Sequence, residues 1–134
     1  MKSEDLLKVL LIDSNKSVRL AINCMFETDK IQIDWTPNLE SIFEHIKNEY
    51  NLIILDPVHS ERTPVETVLY VKIHFPNTPL IVLSSLDLST DIDKTTHLKE
   101  AGAIEILEKH SIDFRRFKVL LINTAFCGQN SVKN

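Results

Sequence analysis

The stretch that most restricts this chain is Asn51-Leu52-Ile53-Ile54-Leu55-Asp56-Pro57. Four consecutive apolar residues read as a strand buried on both faces, as in the middle of a parallel sheet. Proline has no N–H for a strand ladder and keeps the residue before it extended. The strand should therefore stop at Asp56, leaving a carboxylate at its C-terminal edge. In open α/β sheets that edge is where ligands and chemistry sit. Asp56 becomes the candidate functional centre.

Similar runs recur on either side. Lys8 to Asp13 reads as a first strand, again almost wholly apolar and ending in an aspartate. Ser14-Asn15 are cap-type residues, and Val18, Ala21, Ile22, Met25 and Phe26 then share a helix face at three- and four-residue spacing. Ile31-Gln32-Ile33-Asp34-Trp35 alternates, as an edge strand does. Asn38 can cap a second helix with Leu39, Ile42, Phe43 and Ile46 inward. After the central strand, Thr63-Pro64-Val65-Glu66 is a strong helix start: a cap, a proline at the first helical position and a capping box. Val65, Val68, Leu69 and Ile73 are its expected inward face. Leu80-Ile81-Val82-Leu83 is a strand ending at Ser84-Ser85. A weaker helix from Ser89 to Glu100 keeps only Ile92, Leu98 and Ala101 for contacts, and Gly102 suits its left-handed cap. Ile104 to Glu108 is the last strand, leading to Lys109. Ser111 caps a final helix to about Asn123, with Ile112, Phe114, Phe117, Leu120 and Leu121 available for packing.

Five strands alternating with five helices define an α/β domain: a doubly wound five-stranded parallel sheet with helices on both faces. The domain should occupy residues 1–125, followed by a flexible C-terminal tail at 126–134. The 134 residues are 43% hydrophobic and 25% charged, enough for one ordinary core. A net charge of −4 argues against direct nucleic-acid binding, which needs a concentrated basic surface. The early apolar run is broken by Lys8 and has no small-residue cleavage site, so it is a strand and not a secretion signal. No run reaches the length of a membrane span. Cys24, on an apolar helix face, and Cys127 lie far apart and suit a reduced cytoplasmic protein.

Four polar residues thus fall at the C-terminal ends of four strands: Asp13, Asp56, Ser84 and Lys109. In a parallel sheet those ends converge on one rim. Two carboxylates, a hydroxyl and an ammonium make a site for a divalent cation and a phosphoryl group. Oxygen ligands suit Mg²⁺, which keeps several waters and needs one or two carboxylates. Lysine meets phosphate as a point charge.

The chain resembles the receiver domain of bacterial two-component response regulators, gap-free over most of residues 8 to 123. The resemblance rests on Val9-Leu10-Leu11-Ile12-Asp13 with Arg19 beyond, Leu52-Ile53-Ile54-Leu55-Asp56, Pro79-Leu80-Ile81-Val82-Leu83-Ser84, and Ala101-Gly102-Ala103 followed by Leu107 and Lys109. It implies a flavodoxin-like strand order 2-1-3-4-5 and a non-enzymatic module of phosphorelay signalling. It further implies Asp56 as the phosphoacceptor, and Mg²⁺ at Asp13, Asp56 and the carbonyl of Val58. Ser84 would hydrogen-bond the phosphoryl group and Lys109 would pair with it. The partners implied are a sensor histidine kinase or phosphotransfer protein and a downstream protein, with a homodimer left open.

The departures are informative. Ser14 stands where the family carries a second acidic residue at the end of the first strand. A unit charge pair a few ångströms apart is worth roughly 4 kcal/mol at an effective dielectric of about 20. If half of that is lost, Mg²⁺ binding weakens by more than about tenfold. The site is then short of metal, and the alternative role is a phosphorylation-independent interaction module, a pseudo-receiver with a degenerate metal site. Ile106 replaces a commonly aromatic residue. His110 replaces a proline that usually follows a cis peptide, so a trans Lys109–His110 bond is expected. The loop Ser14-Asn15-Lys16-Ser17 has no glycine, which excludes a dinucleotide fingerprint and a phosphate-binding loop.

Overall fold

In the computed structural model the protein is described over residues 7–26, 30–58, 61–85 and 91–133, with side chains as far as Phe126. The strands are β1 (Leu7–Ile12), β2 (Ile31–Thr36), β3 (Leu52–Leu55), β4 (Leu80–Ser84) and β5 (Ala103–Glu108). The helices are α1 (Lys16–Phe26), α2 (Pro64–His74), α3 (Ile92–Ala101) and α4 (Phe114–Lys133). All strand pairs are parallel and the order is β2-β1-β3-β4-β5.

That order puts β1, β3 and β4 inside the sheet, where both faces must be apolar. Alternate residues accordingly feed two cores. Leu10, Ile12, Ile53, Leu55, Leu80 and Val82 meet α2 and α3 on one side. Val9, Leu11, Leu52, Ile54, Ile81 and Leu83 meet Ile22 and Phe26 of α1 and Phe117 and Leu121 of α4 on the other. Each such side chain, fully buried, contributes about 1.5–3 kcal/mol. The unbroken apolar runs are thus the direct record of two-sided burial.

The helices depart further from expectation. The second expected helix is only a five-residue 3-10 helix, Glu40–Glu44. Leu39, not Asn38, holds its N-cap position, while Asn38 one residue earlier accepts the Ser41 N–H at 2.9 Å. Leu39 and Ile42 are buried, but Phe43 is 59% exposed. At three residues per turn its side chain is carried off the inward stripe. In α2 the capping box forms as expected, with Thr63 and Glu66 exchanging bonds of 3.1 and 2.8 Å. Its inward face is different: Thr67, Val68 and Val71 are buried, whereas Leu69 and Ile73 are exposed. Thr67 can be buried because its hydroxyl donates to the Thr63 carbonyl at 3.0 Å.

Smaller corrections concern single residues. Ala21 and Cys24 of α1 face solvent, and Ile92 of α3 is 78% exposed. The expected start of α3 at Ser89 lies outside the described residues; Asp91 accepts the Lys94 N–H as its cap. Asp113, not Ser111, caps α4 by accepting the Arg115 N–H at 3.0 Å, and Phe114 is exposed. Gly102 ends α3 with φ +132°, and a Cβ there would lie 2.8 Å from Lys72 Cγ. Lys72 Nζ ties down the turn after α2, donating to the carbonyl of Thr78 at 2.7 Å. The Lys109–His110 peptide is trans.

Candidate functional site

The rim is built by strand register. Ile12 lies opposite Leu55, so the next residues, Asp13 and Asp56, leave adjacent strands side by side. The Asp56 N–H donates to the Ile12 carbonyl at 3.0 Å, carrying the ladder one step beyond β3. Ser84 closes β4, fully buried, opposite Glu108 on β5. Lys109 follows Glu108 at the start of a 3-10 turn, Lys109–Ser111.

Lys109 Nζ bridges the two acids. It donates to Asp56 Oδ2 at 2.6 Å and lies 2.8 Å from Asp13 Oδ2. The Asp13 side chain is wholly buried, and those of Asp56 and Lys109 are partly exposed. Burial alone would push the ammonium down. Its contacts with Asp13 and Asp56 outweigh that and hold its pKa above the ordinary 10.5.

The carboxylates have their other oxygens engaged. Asp56 Oδ1 accepts the Val58 N–H at 3.0 Å, and Asp13 Oδ1 accepts the Asn15 N–H at 2.8 Å. Asp13 Oδ2 is buried and, among the described residues, takes no hydrogen bond of good direction; Lys109 serves it as an ion pair. A buried carboxylate oxygen held by charge alone is one that a cation can claim. Two carboxylates side by side are the kind of oxygen donor that a hard, largely hydrated dication takes. Ser14, exposed beside them, adds no charge. Among the described residues, His, Cys, Asp and Glu form no cluster of three or more able to hold a metal. The two acids suit a weakly held Mg²⁺, with one acid fewer than the family carries at the end of the first strand.

Of the residues expected at the rim, Asp13, Asp56 and Lys109 meet directly, Val58 joins them through its N–H, and Ser84 stands at the same sheet edge. His59, adjacent in sequence, lies outside the described residues. Two further residues escape the sequence pattern. Trp35 donates its indole N–H to the Asp13 carbonyl at 2.8 Å, and the Arg19 guanidinium lies over the Trp35 ring, 4.5 Å from its centroid. The signal for Trp35 was indirect: on an edge strand paired with β1, a half-buried indole needs an acceptor.

Comparisons with known proteins agree with this architecture. No protein-family model matches the chain. A protein-glutamate methylesterase/protein-glutamine glutaminase from Syntrophus aciditrophicus is 28% identical over 117 residues, covering 85% of this chain. The chain spans about a third (33%) of that relative's length. A CheY-like response regulator receiver domain from Methanospirillum hungatei superposes with a TM-score of 0.78 at 14% identity, over 93% of this chain and 98% of that one. A response regulator from Thermotoga maritima gives 0.76 at 21%, over 90% and 98%. A Francisella response regulator receiver domain gives 0.72 at 26%, over 93% and 98%. The fold is that of the response regulator receiver (CheY-like) domains. Its five-stranded parallel sheet carries the order 2-1-3-4-5, and among the described residues four α-helices stand where five were expected.

Proposed function

We propose that this chain is a phosphorelay receiver that accepts a phosphoryl group on Asp56 from a histidine kinase or phosphotransfer protein. The observation that carries this reading is Lys109 Nζ seated between Asp56 Oδ2 and Asp13 Oδ2. An Asp56 oxygen attacks phosphorus, the bond from phosphorus to the donor's nitrogen breaks, and an acyl phosphate forms. Lys109 then follows the charge from the carboxylate to the phosphoryl oxygens. Ser84 is the hydroxyl at the rim for that group, and Asp13, Asp56 and the Val58 carbonyl would hold Mg²⁺. The metal supplies positive charge to bring the anionic donor against a carboxylate. The added charge would bias a two-state rim and reach a downstream protein, with α3, in which Leu98 is the buried residue, as the moving element. The module is cytoplasmic in this reading and carries no catalytic activity of its own. Consistent with that setting, no helix among the described residues is long and apolar enough to cross a membrane.

Incubation with Mg²⁺ and a small phosphodonor should give a phosphoryl adduct by intact mass, absent in Asp56→Asn. No adduct at high millimolar Mg²⁺ overturns the acceptor role. A second reading, the phosphorylation-independent module, is favoured by the neutral Ser14 beside a carboxylate pair already met by Lys109. Ser14→Asp separates them: by restoring one charge it should strengthen Mg²⁺ binding by more than about tenfold. If that variant gains an adduct the wild type lacks, the pseudo-receiver reading stands.

A further inference from the structure

Asp13 is held on every side but one. Its N–H donates to the Thr36 carbonyl at 3.1 Å, its carbonyl accepts the Trp35 indole, and its Oδ1 accepts the Asn15 N–H. Only Oδ2 is left, facing Lys109. Of these restraints the indole alone is a side chain from another element, reaching across 22 residues of sequence. It meets a carbonyl just past the end of β1, where the strand ladder has stopped and a backbone acceptor must find another partner. Trp35 is clamped in turn between the α1 side of the core, where it packs half-buried, and the Arg19 guanidinium over its face.

We propose that Trp35 is a positioning residue for the rim: its N–H fixes the Asp13 backbone and so aims Oδ2, while Arg19 holds the indole in place. The inference rests on reading the rim as a cation and phosphoryl site, and deepens it. With Ser14 beside it, Asp13 is the single acid at the end of β1, so the direction of one oxygen carries what two acids would share. Groups that orient a ligating carboxylate from behind act on affinity through its geometry and without touching the cation.

Trp35→Phe keeps an aromatic ring beneath Arg19 and removes the indole N–H. Two measurements read it: Mn²⁺ uptake followed by the electron paramagnetic resonance of the free ion, and amide hydrogen exchange in the metal-free protein. Mn²⁺ affinity should fall about tenfold, the lower end of what such supporting groups are worth. Exchange at Asn15, whose N–H binds Asp13 Oδ1, should quicken several-fold while Ile53 in the middle of β3 keeps its rate. A general loss of stability would quicken both, and that outcome overturns the proposal. So does a variant whose Mn²⁺ affinity and Asn15 exchange both match the wild type. If the wild type takes up no Mn²⁺, the cation-site reading falls, and Asn15 exchange alone decides the positioning role. Should Trp35→Phe fail to fold, Arg19→Gln removes the clamp and leaves the donor. Faster Asn15 exchange upholds the proposal, and an unchanged rate overturns it.

Discussion

Lys109 is the cation shared by two carboxylates that parallel pairing forces together, and one of them, Asp13, has no access to water. Lys109→Met should therefore cost about 3 kcal/mol, the low end for a buried pair stripped of one partner because Asp56 keeps some exposure. Denaturant unfolding of the variant against wild type measures it. A second polar cluster lies at the start of β3. The Asp34 carboxyl is pushed up by burial, but Tyr50 donates to it at 2.6 Å and Gln32 at 2.9 Å. Together with the charges of His45 and Lys8, these leave it below the usual 3.8. A depressed carboxylate stabilises the fold above its unfolded pKa, and the gain disappears as pH falls through the folded value. Tyr50→Phe should raise the Asp34 pKa, seen by carbon-detected NMR titration, and shrink the difference in Tm between neutral pH and pH below 3.8. Asp13, Asp56 and Lys109 were legible as strand-end residues because an apolar run that stops at a charge marks its own edge. Trp35 and Arg19 were not, since their roles depend on which strand pairs with which.

Among elements, strands were read nearly to the residue and helices less well. A strand buried on both faces has no phase to mistake. A helix has one, and α2 is apolar on most sides: Val65, Val68, Leu69, Val71 and Ile73 offer several stripes, and burial of Thr67 decides among them. The cap was legible where the face was not, because capping depends on four neighbouring residues only. Thr63→Ala should lower stability by about 1 kcal/mol, through loss of the bond to the Glu66 N–H, and a shift in the urea midpoint with unchanged slope would show it. The stretch after β2 shows the opposite failure. Its helical spacing is present in sequence, but it runs as 3-10 and presents Phe43 to solvent.

For the whole molecule, the strand order follows from which runs are apolar on both sides: β2 alternates and sits at an edge, while β1, β3 and β4 are interior. The sheet divides the interior into two cores, and α4 closes one of them through Phe117 and Leu121. Leu121→Ala should cost about 2–5 kcal/mol, as for any large side chain cut back in a packed core, whereas Ile73→Ala on the exposed side of α2 should stay within about 0.5 kcal/mol. Thermal or denaturant unfolding compares the two. The same strand order has a consequence for biosynthesis. Asp56 and Lys109 are 53 residues apart, and β1 and β3 can pair before β5 has been made. If those strands pair during synthesis, two carboxylates come together well before their shared cation arrives. The central pairing would then begin against its own charge, to be relieved when β5 and Lys109 follow.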